Sequence, residues 1–303
     1  MAAEPVAGLT SIIIVAADSG PLLGDAVRSA LAQRAPVEVI VVDNASADGG
    51  PARVAAAHAG DPRLRVLDNG ANLGFGTACN RGAALATGDA LLFQNPDCLL
   101  ADDTVQQLRN ALDGDPRIGL LGATVCHPDG SPARANRRRE PSLRRALMSA
   151  SGLARFETRW PALAGVELPP ATQATALEDL DAISGALMLA RRAAFDSVEG
   201  FDERYFLHAE DLDFCRRLRD AGWRVAIAAT VRVIHAQGTS SRRRPVFVAW
   251  HKQRGLWRYF RRHDPAARNP LLRALVGSAL CLHFALRLPL LMLKHLIGAR
   301  RAQ

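Results

Sequence analysis

Along the first 125 residues the apolar positions fall in short unbroken runs. SIIIVA (11–16), VEVIVVD (37–43), RLRVLD (63–68), DALLF (89–93) and IGLLGATV (118–125) each read as a strand rich in β-branched side chains. Helical spacing fills the gaps from Gly20-Pro21 to about Gln33, over GTACNRGAALAT (76–87), and from Ala101 to Asp113. Apolar strands alternating with helices predict a parallel sheet covered on both faces. The rhythm fails from about His127 to Thr175, an Arg- and Pro-rich stretch containing RANRRRE (134–140), which reads as an inserted loop-and-helix segment. It returns with a strand in ISGALMLA (183–190), a helix over EDLDFCRRLRDAG (210–222), and strands in WRVAIAA and VRVIH. Beyond about Arg244 the chain turns helical and basic, ending in LLRALVGSALCLHFALRLPLLMLKHLIGARR (271–301). No internal repeat is visible.

Composition adds a partner class. The 303 residues suffice for one large α/β domain plus an appendage. The net charge of +8 comes almost wholly from Arg, with Lys only at 252 and 294. That balance suits phosphate-bearing substrates or an anionic membrane surface. The five cysteines form no CxxC pair and no disulfide framework, which fits a reducing cytoplasm. No basic segment precedes the first apolar run, so no signal peptide is expected.

Candidate chemistry sits mainly at the ends of strands. Asp43 closes VEVIVVD and Asp97 follows Asn95-Pro96 just after DALLF. Either acid reads as a turn residue, or as a ligand contact outside the carboxyl ends of the strands. GFGTACNRG (74–82) opens like a dinucleotide fingerprint, but Cys79 stands where the third glycine belongs, so the match is weak. HAEDLD (208–213) puts Glu210, Asp211 and Asp213 at a helix start. Acids there complement the helix dipole at ~0.3–1 kcal/mol each, but three within four positions exceed that need. One of them over a pocket could act as a general base. His235 ends VRVIH; it reads as a structural histidine or, with Asp97, as part of a hard-cation site.

Taken in order, NLGFGTACNRGAALATGDALLFQNPD (72–97), the stretch 183–225 and VIHAQGTSS (233–241) resemble the family 2 glycosyltransferases, in particular a bacterial rhamnosyltransferase-like branch that builds cell-surface polysaccharide. The resemblance spans about residues 8–262. It implies a GT-A fold: a Rossmann-like mixed sheet flanked by helices, with a catalytic domain over 8–240, an acceptor-side insert at 127–180 and a helical extension over 241–303. It implies that Asp97 binds Mg²⁺ or Mn²⁺ bridging a donor diphosphate, with His235 a further ligand and Asn95 in place of the first acid of an Asp-x-Asp motif. Asp43 would contact the nucleotide, with Asp18, Asn72, Gly74 and Asn80 also on the donor side. Asp211 would be the base of an inverting transfer, Glu210 its neighbour and Asp213 its rival. The implied donor is dTDP-L-rhamnose, with UDP- and GDP-sugars as the other nucleotide classes, and the acceptor a saccharide or polyprenyl-linked glycan. Nucleic acid is not an expected partner.

One departure stands out. Ala16-Ala17-Asp18 replaces the Thr-Tyr-Asn type of sequence usual at the end of the family's first strand, putting the nucleotide contact in doubt. That change motivates a degenerate nucleotide-sugar-binding scaffold as an alternative. A sugar-1-phosphate nucleotidyltransferase would need a Gly-rich, basic loop after the first strand, which AADSGPLLGDA lacks. Arginines in 134–145 read as a solvated loop or as a grip on an acceptor pyrophosphate. The run 271–298 is long enough to span a bilayer at ~20 residues, but His283, Arg287, Pro289 and Lys294 interrupt it. It is therefore expected to lie in the inner face of the plasma membrane or to pack on protein, including in a homodimer.

Overall fold

The computed structural model describes residues 4–133, 136–168, 176–236 and 244–300, with side chains through 293. The 237–241 part of the VIHAQGTSS motif, and residues 134 and 135 of the Arg-rich insert, lie outside the described residues.

The first half follows the expected alternation: β1 (Val6–Ala16), α1 (Leu22–Leu31), β2 (Val37–Asp43), α2 (Gly50–Ala57), β3 (Leu64–Asp68), α3 (Phe75–Leu85), β4 (Gly88–Gln94). A short β5 (Cys98–Leu99), α4 (Thr104–Asp113) and β6 (Ile118–Cys126) follow. The insert contributes β7 (Arg137–Arg138) and α5 (Leu143–Ala150). The chain then returns through β8 (Leu177–Asp179), β9 (Ala182–Ile183), β10 (Leu187–Arg191), α6 (Arg192–Ser197), α7 (Glu210–Asp220) and β11 (Arg224–His235). Two helices, α8 (Pro245–His263) and α9 (Pro270–Arg300), complete it.

The main sheet runs β3-β2-β1-β4-β10-β6-β11-β5, with β8 also on β11. The sheet is mixed, as the family resemblance implies: β10 runs antiparallel between β4 and β6, where the alternation alone suggested parallel strands. β10 follows the insert and enters the sheet from the opposite end of the strands, and an apolar run does not encode direction. ISGALMLA is likewise two strands, β9 and β10, broken at 184–186, and the runs in WRVAIAA and VRVIH are one strand bulged between Ala228 and Arg232.

Strand β1 shows why these runs are largely apolar. Ile12 and Ile14 pack in one core with Leu23, Val27 and Leu108 of α1 and α4. Ile13 and Val15 face the other, with Ala78, Cys79, Phe214 and Leu218 of α3 and α7. Both layers are apolar at these four positions, whereas the buried polar Thr10 and Ser11 lie just before them in the strand. Phe201 joins the second layer to the loop before α7, with ring centroids 5.0 Å from Phe93 and 4.6 Å from Phe214; such pairs add about 0.5–1.5 kcal/mol beyond burial. In contrast, Pro270–Leu293 has mean hydropathy 1.7 and is not buried.

Candidate active site

Outside the carboxyl ends of β1, β4 and β11 lies a cleft of about 330 Å³, where open α/β sheets bind ligands. Ala17, Asp18, Asn72, Gly74, Asn95, Asp97, His208 and His235 line it, with Arg244, Phe247 and Val248 from the start of α8.

Asp97 reaches the cleft through a local turn. After Asn95-Pro96 the Cys98 N–H donates to the Asn95 carbonyl at 3.0 Å. The chain then pairs with β11 in the register Cys98↔His235. The Ala236 N–H closes the junction on the Asp97 carbonyl at 3.0 Å. This pairing sets His235 Nε2 2.8 Å from Asp97 Oδ1 across 138 residues of chain, with the Asn95 amide 3.4 Å from the same nitrogen. Both side chains are largely shielded, at 13% and 9% exposure. One carboxylate and one imidazole at a cleft floor suit a divalent cation that takes its other ligands from substrate oxygens and water. Among the described residues no cluster of three His, Cys, Asp or Glu forms a complete protein cage.

The donor-side candidates divide. Asn44, 2% exposed, was not foreseen; its amide donates to Asn72 Oδ1 at 2.9 Å and its oxygen accepts from the Leu73 N–H at 3.0 Å. That latch carries Asn72 and Gly74 to the cleft. At Gly74 φ is 88°, and a Cβ would lie 2.6 Å from the Phe206 carbonyl oxygen, so glycine is required. Asp18, at φ 53°, accepts from the Ala47 N–H at 2.7 Å and faces Arg244 at 3.9 Å. Asp43 is not among the lining residues; its carboxylate accepts from the Ser46 N–H at 2.8 Å, the Asx-turn reading. Asn80 is also absent from the lining, since its amide clasps the Phe201 backbone in both directions at 2.9 Å. Phe247 and Arg244, missed in the sequence, follow residues 237–243 and carry no spacing signal of their own.

The acids of α7 separate just as clearly. The helix is entered through His208 and Ala209 at φ 67° and 69°, a strained pair that aims its first turn. Asp211 Oδ2 meets the Arg138 guanidinium at 2.5 Å, while Arg138 also donates to the Ile183 carbonyl. Burial opposes ionisation of Asp211, but Arg138 outweighs it and holds the carboxyl below its ordinary value. Glu210 has no such partner: burial, then the Asp211 charge, pushes it up to about 8. Asp213 is fully buried and held by Arg217 at 2.6 Å, His263 at 2.7 Å and Arg262 at 3.2 Å. It is a structural hub with no lone pair facing the cleft. Several arginines of the insert are engaged: besides Arg138, Arg139 pairs with Glu157 at 2.9 Å and Arg145 with Asp181 at 3.6 Å, while Arg144 is exposed.

The cleft thus carries the Asp97–His235 corner, while Glu210 and Asp211 are not among its lining residues. The model of "Glycosyl transferase family 2" matches residues 11–167, and that of "Glycosyl transferase family group 2" matches 171–297. The N-acetylglucosaminyl-diphospho-decaprenol L-rhamnosyltransferase of Mycobacterium tuberculosis is 36% identical over 91% of this chain and 92% of its own length. The O-antigen biosynthesis protein RfbC of Myxococcus xanthus is 29% identical over 78% of this chain and 18% of its own. Among solved structures, a mannosyltransferase from Pyrobaculum calidifontis, in complex with GDP-Man and Mn²⁺, superposes with TM-score 0.58 at 20% identity, covering 97% of this chain and 75% of that one. The chain belongs to glycosyltransferase family 2, is rhamnosyltransferase-like, and has the GT-A fold.

Proposed function

We propose that this glycosyltransferase moves L-rhamnose, with inversion, from dTDP-L-rhamnose to a polyprenyl-diphosphate-linked saccharide in cell-envelope polysaccharide synthesis. The observation that carries the reaction type is the Asp97–His235 corner 2.8 Å wide at the floor of the cleft. The near-full-length similarity to the mycobacterial enzyme supports the substrate class. Residues 8–240 form the catalytic domain in this reading, with 127–180 on the acceptor side.

The donor nucleotide lies over Asp18, Asn72 and Gly74, and Phe247 offers a ring in place of the missing aromatic after β1. Arg244 supplies positive charge at the mouth of the cleft. Asp97 and His235 would hold Mg²⁺ or Mn²⁺, which would offset negative charge on the leaving diphosphate. The acceptor hydroxyl attacks the anomeric carbon, forming the new C–O bond as the bond to the diphosphate oxygen breaks and its electron pair leaves with the nucleotide. Asp211 receives the hydroxyl proton; ionised through Arg138, it is ready to do so at neutral pH. Glu210 stays protonated beside it, which spares Asp211 a second negative neighbour. The 241–303 extension attaches the enzyme to the cytoplasmic membrane face, where such acceptors reside.

Calorimetry with dTDP, UDP and GDP, each with and without Mn²⁺, tests the donor site. Metal-dependent binding of dTDP that Asp97→Asn abolishes is the expected result. Binding of none by the folded protein would favour the degenerate scaffold.

A further inference from the structure

Next to the cleft, and sharing its Phe206 wall, α8 and the 204–206 turn enclose a second cavity of about 490 Å³. Its wall is basic. Arg254, Arg258 and Arg261 recur at helical spacing along one stripe of α8, and Arg204 and Arg262 join them. Carboxylates are in short supply there: Asp202 meets Arg204 at 2.8 Å, Arg258 at 3.3 Å, and Arg262, and the only other is the buried Asp213, 3.2 Å from Arg262, among the described residues. Arg254 and Arg261 have no carboxylate partner among the described residues, and Arg261 lies 5.8 Å over the Trp257 ring. Two buried polar atoms of the same wall lack any hydrogen-bond partner: the hydroxyl of Tyr205, a residue 1% exposed, and Nε of Arg258. A pocket with excess guanidinium and orphaned donors is built for an anion with several acceptor oxygens.

The neighbouring helix indicates which anion. Trp250 stacks on Phe284 at 5.5 Å, Gln253 bonds His283 at 2.8 Å, and a Cβ at Gly277 would lie 3.3 Å from the Trp257 ring, so α9 lies directly against α8. Outward from it stand Leu275, Leu282, Leu286 and Leu290, each 60–69% exposed. An apolar stripe beside a cationic groove matches the two depths of a bilayer interface, acyl chains and phosphates.

We infer that the α8 groove binds the phosphate of an anionic phospholipid headgroup while α9 lies in the interface. This rests on the membrane attachment proposed above and not on the chemistry of sugar transfer. The doubly substituted Arg254→Gln, Arg261→Gln protein breaks no ion pair and should fold normally. In co-sedimentation of the full chain, vesicles of phosphatidylglycerol and phosphatidylcholine should bind the unsubstituted protein more than 30-fold more tightly than this variant, since two arginines at an anionic surface account for roughly 30-fold by charge alone. Arg273→Gln with Arg287→Gln serves as the control for charge alone. Short-chain dihexanoyl phosphatidylglycerol, below its micelle concentration, should perturb Trp257 fluorescence saturably. Tyr205→Phe should weaken that response, while phosphatidylcholine and inorganic phosphate should not reproduce it. Equal losses in the two double variants, or a response to inorganic phosphate as strong as to the lipid, would overturn the headgroup site. Equal binding to pure phosphatidylcholine vesicles would do the same while leaving attachment through α9 intact. Absence of all vesicle binding would instead remove the attachment and, with it, the inferred role of the groove.

Discussion

Asp211 and Asp213 stand two residues apart at the head of α7, yet the two sides of that turn do opposite things. On one side Asp211, its side chain 14% exposed, meets a single guanidinium supplied by the insert. On the other, Asp213 is sealed by Arg217, His263 and Arg262 from α7 and α8. Asp213 is saturated and holds elements together, whereas Asp211 has a single charged partner besides the Leu212 N–H at 2.9 Å. Position in sequence does not distinguish them, and neither does residue type.

The sharpest way to break this contrast is Asp211→Asn. Turnover should fall by about 10²–10⁴-fold, the usual worth of a general base, with donor binding by calorimetry unchanged. Asp213→Asn should act on stability instead, costing about 3–5 kcal/mol in urea unfolding because Arg217 and Arg262 lose their buried counter-charge. Its folded fraction should turn over near normally, and loss of kcat there would exchange the two roles. Arg138→Met should sharpen the picture through pH. Without the guanidinium, burial alone governs Asp211, so the acidic limb of kcat/KM should move up by about 1–3 units. Activity at pH 6 then suffers more than at pH 8.

Glu210→Gln gives the smallest effect. Native Glu210 keeps its proton from the ordinary value of 4.5 up to about 8, whereas the unfolded chain has lost it. Its contribution to stability therefore declines as pH rises through that window, by at most about 1.4 kcal/mol per unit. Thermal melts of the Gln variant should show a flatter decline between pH 5 and 8, with transfer at pH 7 little changed.

Much of this architecture is written in local patterns. The strands of the first half are legible because a strand covered on both faces is apolar over most of its length, as Ile12 through Val15 illustrate. The helix start at Glu210 and the turn at Asn95-Pro96 are equally short-range. The direction of β10 was not legible, since an apolar run looks the same in either orientation. Asp43 and Asn80 illustrate a different limit. A polar residue at a strand end or on a helix reads as a ligand contact until its backbone partners, Ser46 and Phe201, are known. The short β5 lay below any periodic signal, though it fixes the Cys98↔His235 register and so assembles the Asp97–His235 corner.

By itself, then, the amino-acid sequence determined the element order, the apolar core, the acids offered at the sheet edge and, through its motifs, the family. The tertiary structure alone decided what each of those acids meets. It tied Asp43 into its own turn, buried Asp213 in an ion-pair hub, faced Asp211 with Arg138 across 73 residues, and set Asp97 against His235. The reason is physical: burial patterns and turn chemistry act within a few residues. A carboxylate's partners, and hence its protonation, depend on strand order and helix packing that bring distant segments within a few ångströms.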